Sequence, residues 1–202
     1  MSGLASGAAP AGIGHNSHNN GPSMERGRAW RVHAWRSAQK KLMPNTIPKL
    51  VLQMRIKRAA ELGMDYKTYA RVRQTSGQDI TGLLFSSNAL RIIAYGAHMP
   101  ERERHALEAV QNASKLALVH RPNIPEAVLT AHPVLNDAGA APRFSESWSE
   151  MRARVQDLMR RQGLPGASVV VIGDAPLESE WSTAGRAAAY LSASEYFAHQ
   201  SA

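Results

Sequence analysis

The stretch 169-VVVIGDAPLESEW-181 decides how the fold of this chain is interpreted. Four consecutive β-branched residues end at Gly173 and Asp174, and a proline and two further acidic residues follow. A short, continuous apolar run bounded by a turn is typical of a strand that is buried on both faces. Such strands occur mainly in parallel sheets that helices cover on both sides. We therefore expect Asp174 and Glu178 to lie just beyond the end of a buried strand.

Two segments upstream show the same apolar pattern and are separated by helical ones. ITGLLFSS at residues 80–87 and KLALVH at residues 115–120 are short, mostly apolar and bounded by polar turns. A helix is predicted from Pro100 to residue 114. A second helix is predicted over 145–163, where Ser147 and Glu150 have the spacing of a capping box. Residues 123–142 are predicted to be irregular or partly helical, and a final helix with interruptions is predicted over residues 177–197.

The alternation of strands and helices predicts the fold class. Parallel strands need crossover connections, and these are right-handed in nearly all known cases. We predict a small α/β domain over residues 78–200, with a parallel sheet of three or more strands and helices on both faces.

The N-terminal part is predicted to be a leader followed by a basic helical region. Residues 1–23 are rich in Gly, Ala, Ser and Asn, and a segment that buries so little apolar surface is predicted to be disordered. Residues 24–77 are predicted to form three helices, over 25–42, 48–62 and 66–76. In the third helix, Asp65 is the predicted N-cap and Gly77 the predicted end.

The positive charge of the chain is concentrated in that region. The net charge is +8, and residues 25–73 carry 13 Lys and Arg against 3 acidic residues. This asymmetry predicts a polyanionic partner, either nucleic acid or an acidic protein, although a solvated basic face stays open as an alternative. The chain has no cysteine, which excludes disulfides, thiolate zinc sites and a thiol nucleophile. With no signal-like or membrane-spanning stretch, we expect a soluble, cytoplasmic protein without a membrane partner.

Part of the basic region also resembles a known DNA-binding motif. RAAELGMDYKTYARV, residues 58–72, resembles the helix-turn-helix pattern of small and apolar residues around a turn glycine, here Gly63. The resemblance implies a nucleic-acid contact surface on the second and third helices. The residues predicted to contact bases or phosphates are Arg55, Lys57, Arg58, Lys67, Thr68, Arg71 and Arg73. The aromatic residues of the region either stack on bases or anchor it to the protein core, and they are Trp30, Trp35, Tyr66 and Tyr69.

The opening stretch resembles a motif of a hydrolase family. LPGASVVVIGD, an acid four residues after Asp174, and then Ala184-Gly185 are similar to the last motif of the haloacid dehalogenase-like hydrolases, over about residues 145–190. The resemblance implies a magnesium ion held by Asp174 and Glu178. It also implies an Asp-x-Asp nucleophile motif after the first strand, where this chain has Ser86, Ser87 and Asn88. Without the aspartate no aspartyl-phosphate forms, and Ser86 with His120 as its base is the remaining nucleophile candidate.

Three functions stay open from the sequence. The leading hypothesis is a non-catalytic regulatory or binding protein, without a cofactor, whose basic region contacts nucleic acid or a nucleic-acid-associated partner. The second is a magnesium-dependent hydrolase of a small phosphorylated substrate. The third is an interaction factor of the toxin or adaptor type, because QDITGLLF at residues 78–85 resembles peptides that bind bacterial sliding clamps, unless it is the first buried strand.

Overall fold

The computed structural model of this chain describes residues 47–198, together with His33, Trp35 and Ser37. These three residues are helical, and the remainder of the predicted helix 25–42 lies outside the described residues, as does the predicted leader 1–23. The chain divides into two compact units, Met1–Ile47 and Pro48–Ala202.

The second unit alternates helices and strands along the chain. The helices are α1 Lys49–Glu61, α2 Tyr66–Ser76, α3 Glu101–Ala109, α4 Pro125–Ala131, α5 Trp148–Arg161, α6 Glu180–Gly185 and α7 Ala193–Ala198. The strands are β1 Gly82–Ser86, β2 Ser114–Val119, β3 Asp137–Ala140, β4 Val169–Gly173 and β5 Ala189–Ser192. Short 3-10 helices, Gly166–Ser168 and Pro176–Ser179, flank β4.

The five strands form one parallel sheet in the order β3-β2-β1-β4-β5. The central strand β1 pairs with β2 and β4, so that Leu84 lies beside Leu116 and Val171. From β1 the chain builds outward through β2 and β3, then returns to the other side of β1 for β4 and β5. This is a doubly wound sheet, and ligands of such sheets bind beyond the carboxyl ends of the strands where the winding direction reverses. The α/β fold class and parallel sheet predicted from the sequence are confirmed.

Both faces of the sheet are covered, which explains the continuous apolar runs of the central strands. One core contains Phe85 with residues of α1, α2, α3 and α7, while the other contains Leu84 with residues of α5 and α6. Leu62 at the end of α1 and Tyr69 of α2 are buried in the first core. The basic helices α1 and α2 therefore share a core with the sheet, and the predicted domain boundary after residue 77 falls inside the compact unit.

The predicted caps are confirmed in the described helices. The Asp65 carboxylate accepts hydrogen bonds from the backbone amides of Lys67 and Thr68 at 2.7 and 3.0 Å, and Gly77 ends α2 with a φ of 70°. A left-handed residue at this position favours glycine, because other residues pay a steric cost there. Ser147 and Glu150 form the capping box that begins α5.

Two strands were not predicted, and one of them divides the predicted final helix. Residues 123–142 contain α4 and β3, whereas the predicted helix 177–197 is divided into a 3-10 helix, α6, β5 and α7. The unpredicted strands, DAGA and AYLS, are four-residue edge strands without a β-branched residue. Their strand conformation follows from backbone pairing with β2 and β4 rather than from side-chain preference.

Within residues 47–198, no helix combines the length and the apolar composition needed to cross a bilayer.

Candidate functional site

The carboxyl ends of β1, β2 and β4 bring several of the predicted residues together around one buried carboxylate. Glu178, in the 3-10 helix after β4, is only 1% exposed. Its side chain lies against Asn88 beyond β1 and His120 beyond β2. This is the reversal point of the doubly wound sheet, where a ligand crevice is expected.

Both oxygens of the Glu178 carboxylate are occupied by hydrogen-bond donors. Oε1 accepts from Asn88 Nδ2 at 2.8 Å and lies 2.9 Å from His120 Nε2. Oε2 accepts from the backbone amides of Asp174 and Ala175 at 2.7 and 3.0 Å. The Ser86 hydroxyl also interacts with the carboxylate. A buried charge is tolerated when hydrogen bonds satisfy it in this way. Through these bonds Glu178 connects the segments that follow β1, β2 and β4.

Gly173 makes this arrangement possible. A Cβ atom at this position would lie 2.8 Å from Glu178 Oε2 and 2.8 Å from the Tyr190 ring. The absence of a side chain lets the Glu178 carboxylate fold back onto the chain where β4 ends. Close packing therefore explains the glycine of the Gly-Asp pair in the opening stretch.

The environment keeps Glu178 ionised. Burial by itself raises the pKa of Glu178, but the hydrogen bonds from His120, from the amides of Ala175 and Asp174, and from Ser86 together lower this pKa below its ordinary value. An ionised carboxylate accepts hydrogen bonds only, so His120 donates its Nε2 proton to Glu178.

Asp174, the second predicted metal ligand, forms an ion pair with an arginine. Asp174 Oδ2 lies 2.8 Å from Arg91 Nη1, in a pair that is partly exposed to solvent. Magnesium requires oxygen ligands that are free to face the ion. Since Asp174 is paired with a guanidinium and Glu178 with donors, these two residues do not fit a magnesium ion in this arrangement. Within the described part of the chain, no group of three or more His, Asp or Glu side chains has the geometry for a metal ion.

Ser86 and His120 are brought near one carboxylate but are not paired with each other. Ser86 Oγ accepts a hydrogen bond from the Ala89 amide at 3.0 Å, while His120 Nε2 is bonded to Glu178. No hydrogen bond joins Ser86 to His120 in the described contacts, whereas a serine nucleophile needs a base within hydrogen-bond reach. In this arrangement both side chains contact Glu178 rather than each other.

A large cavity opens beside this network. It has a volume of about 1020 Å³ and lies between the ends of β2, β3 and β4. His120, Glu178 and the buried Trp181 line it, and the His120 and Trp181 rings lie 5.5 Å apart. The loops after β2 and β3 and the first turns of α5 complete its walls.

Three of the arginines predicted to bind nucleic acid are used in contacts within the protein. Arg58, whose side chain is 15% exposed, pairs with Glu61 and Asp79 at 3.0 and 3.2 Å. It also donates to the carbonyl oxygens of Ile80, Gln111 and Asn112, at 2.7, 3.3 and 3.0 Å respectively. This guanidinium ties the end of α1 to the start of β1 and to the turn before β2.

The other two arginines lie on α2. Arg73 contacts Asp79 and the hydroxyl of Tyr69 at 3.2 and 3.1 Å. Arg71 pairs with Glu195 at 3.0 Å, yet its side chain stays 65% exposed. Tyr69 is 1% exposed and donates its hydroxyl proton to Asp79, so it anchors α2 to the core.

The remaining predicted residues differ in their exposure. Lys57 and Lys67 are exposed, and Arg55 and Thr68 are half-buried. Lys57 and Lys67, with the exposed Arg71, are therefore the predicted nucleic-acid contacts that keep an accessible charge.

The segment that resembles clamp-binding peptides, residues 78–85, contains most of the central strand β1. Leu83, Leu84 and Phe85 are fully buried in β1. These side chains are inaccessible to a partner while the domain is folded.

Two features of the site were not found from the sequence. Arg91 was not predicted to contact Asp174, because 83 positions separate the two residues in the chain. Trp181 was not predicted as a wall of the cavity. A polar turn of two or three residues after each apolar run is the signal that locates such strand-end contacts, although it does not identify the partners.

The fold and the site together define a class: a doubly wound, parallel α/β protein whose strand-end crevice holds a buried carboxylate satisfied by its own chain. Comparisons with models of protein families, with curated proteins and with solved structures find no significant match to this chain.

Proposed function

We propose that this chain is a non-catalytic binding protein that contacts nucleic acid through its basic N-terminal part, with the α/β unit as its platform. The observation that supports the non-catalytic part most directly is the environment of Glu178. Both oxygens of this carboxylate already accept hydrogen bonds from the chain itself. A general base or a metal ligand instead needs a lone pair that faces a substrate or an ion.

The residues at the end of β1 support the same conclusion. If the domain is related to the haloacid dehalogenase-like hydrolases, Ser86 and Asn88 stand where the nucleophile and the acid-base residue are required. The Ser86 hydroxyl and the Asn88 amide instead contact Glu178. The substitution of two carboxylates removes two negative charges beside a buried third one, which favours a stable network over phosphoryl chemistry.

We expect no magnesium-dependent hydrolysis of generic phosphate esters by the purified protein, measured as phosphate release with and without magnesium. The Asp174→Asn variant removes one carboxylate that the family resemblance assigns to the metal. Its rate is expected to equal that of the wild type, at background. Magnesium-dependent turnover that Asp174→Asn abolishes would contradict the proposal and favour the hydrolase alternative.

Charge distribution supports nucleic acid as the partner. Residues 25–73 carry 13 of the 24 Lys and Arg of the chain but 3 of its 16 acidic residues. Lys57 and Lys67 are exposed, so phosphates can approach their ammonium groups. Phosphate contacts of this kind supply most of the non-specific affinity for nucleic acid and make it depend on salt.

The Lys57→Glu/Lys67→Glu variant is expected to bind a mixed-sequence oligonucleotide about tenfold or more weakly at low salt, because two phosphate contacts are replaced by repulsion. Fluorescence anisotropy measures the dissociation constant and its salt dependence, and the variant is expected to show a shallower salt slope. The control, Arg152→Glu/Arg160→Glu, changes the net charge equally on the exposed part of α5. If both variants lose the same affinity, only the net charge matters, and a defined surface on α1 and α2 is excluded.

A further inference from the structure

The cavity between the ends of β2, β3 and β4 has no role in the proposed contact with nucleic acid. Its volume of about 1020 Å³ suits a small molecule, for which sites of about 300 to 1,000 Å³ are usual. All of its lining residues belong to the unit Pro48–Ala202. The Glu178 network occupies the crevice at the ends of β1, β2 and β4, but the space beside it is open.

Large apolar side chains surround the cavity, and several are exposed. Phe144 is 88% exposed, Ile124 53%, Leu177 48% and Trp148 42%. Met151 and the buried Trp181 continue the apolar wall inward. Exposed apolar side chains that converge on one concave surface mark a binding site more often than scattered ones do. The body of a fitting ligand is therefore planar and apolar, and an aromatic ring offers the most contact with this wall.

Two arginines at the cavity indicate a second feature of the ligand, a negative charge. Arg121 is exposed and has no charged partner among the described residues. Arg143 lies 3.9 Å from Glu146, its nearest acid, but that carboxylate is held by two hydrogen bonds of 2.7 Å from Arg154.

The acidic residues of the lining do not cancel these two charges. Glu146 is paired with Arg154, and the ionised Glu178 is buried with both oxygens bonded to its own network, so Glu180 is the exposed acid of the lining. Among the described residues, Arg121 and Arg143 have no hydrogen-bonded carboxylate partner, so their guanidinium N–H groups are available to a negatively charged group on a ligand. Guanidinium binds carboxylate and phosphate with paired N–H donors.

We propose that this cavity is a binding site for a small aromatic anion. The ring packs among Phe144, Trp148 and Leu177, while a carboxylate or phosphate on the ring contacts Arg121 and Arg143. The site does not depend on Lys57 or Lys67, so it is a separate property from the nucleic-acid contact.

A pair of matched dyes tests the proposal on the full chain. The fluorescent probe 1-anilinonaphthalene-8-sulfonate carries the aromatic rings and one negative charge, and N-phenyl-1-naphthylamine has the same rings without the charge. We expect the anionic dye to bind with one-to-one stoichiometry. The Arg121→Gln/Arg143→Gln variant is expected to bind it about tenfold or more weakly, because two charge-assisted contacts are lost. The same variant is expected to bind the neutral dye as the wild type does.

Two controls separate the cavity from general effects. Arg152→Gln/Arg160→Gln removes two exposed arginines of α5 that lie outside the cavity lining and should leave both dyes unaffected. Near-UV circular dichroism checks that each variant keeps its packed core, because partly unfolded proteins also bind the anionic dye. Absence of one-to-one binding, or equal affinity of the cavity variant and the wild type for the anionic dye, would overturn the proposal.

Competition identifies the class of anion. Displacement of the bound dye by AMP indicates a nucleotide, and displacement by indole-3-acetate but not by AMP indicates an aromatic carboxylic acid. If neither compound displaces the dye, the assignment of the site to a ligand with a carboxylate or phosphate group is overturned.

Discussion

The Glu178→Ala variant is expected to lower the free energy of unfolding by about 3 to 5 kcal/mol, the usual cost of removing one partner from a buried charged network. The substitution leaves the Asn88 amide, the His120 imidazole and two backbone amides without their acceptor at a partly buried site. Each unsatisfied donor costs its desolvation energy. Chemical denaturation followed by far-UV circular dichroism measures the change.

A neighbouring glutamate provides the matched control. Glu180 lies two residues further along and is exposed, so Glu180→Ala is expected to change the free energy of unfolding by about 0.5 kcal/mol or less. Similar losses for Glu178→Ala and Glu180→Ala would show that the network contributes nothing specific. That result would also weaken the proposed non-catalytic function, which depends on the network being occupied.

The same network predicts how stability depends on pH. The pKa of Glu178 is lowered in the folded protein relative to its ordinary value of 4.5. A lowered pKa contributes stability that is fully present above the unfolded value and is lost as the pH falls through the folded one. We expect the free energy of unfolding of the wild type to fall below about pH 4.5, and to fall less steeply in Glu178→Gln, which has no proton to bind at this position. Parallel pH profiles for the two proteins would contradict the assignment.

The second large effect is expected at Arg58. The Arg58→Ala variant is expected to lose about 2 to 3 kcal/mol of unfolding free energy, because it removes charge-assisted bonds and leaves the Ile80 carbonyl without this donor. Urea denaturation measures this loss. Its neighbour Lys57 is exposed, and Lys57→Ala is expected to leave stability within about 0.5 kcal/mol of the wild type.

The two positions are expected to separate stability from binding. Under conditions where both variants are folded, Arg58→Ala should keep its affinity for oligonucleotide, since its guanidinium is enclosed by Asp79, Glu61 and backbone carbonyls. Lys57→Glu should lose affinity without losing stability. If Arg58→Ala is stable but fails to bind, then the guanidinium leaves its enclosed position to contact nucleic acid, and its assigned structural role is wrong.

Much of the fold was predictable because the central strands carry a strong local signal. Leu83, Leu84 and Phe85 of β1 and the VVVI run of β4 are buried on both faces, so every residue in them is apolar. The caps of α2 and α5 were equally local, since Asp65 and Ser147 bond to amides within three residues. Edge strands β3 and β5 lack this signal because pairing with β2 and β4 decides their conformation.

The candidate site was predictable only in part. Parallel topology brings the strand ends together, which explains why Ser86 and His120, the candidate nucleophile and base, lie beside Glu178, a predicted metal ligand. Their roles depended on distances between residues that are 58 to 90 positions apart, such as His120 to Glu178 and Asn88 to Glu178. No local pattern encodes whether a carboxylate faces a metal ion or faces its own chain.

The sequence by itself determined that this chain contains a parallel α/β sheet, where its central strands lie, and that its positive charge is concentrated before residue 74. These properties depend on local composition and periodicity, which a chain carries before it folds. Only the tertiary structure decided that the oxygens of Glu178 accept hydrogen bonds from this chain, that Asp174 is paired with Arg91, and that Arg58 connects α1 to the segment before β1. The physical reason is that hydrogen bonds and ion pairs act over about 3 Å in space and are independent of distance along the chain.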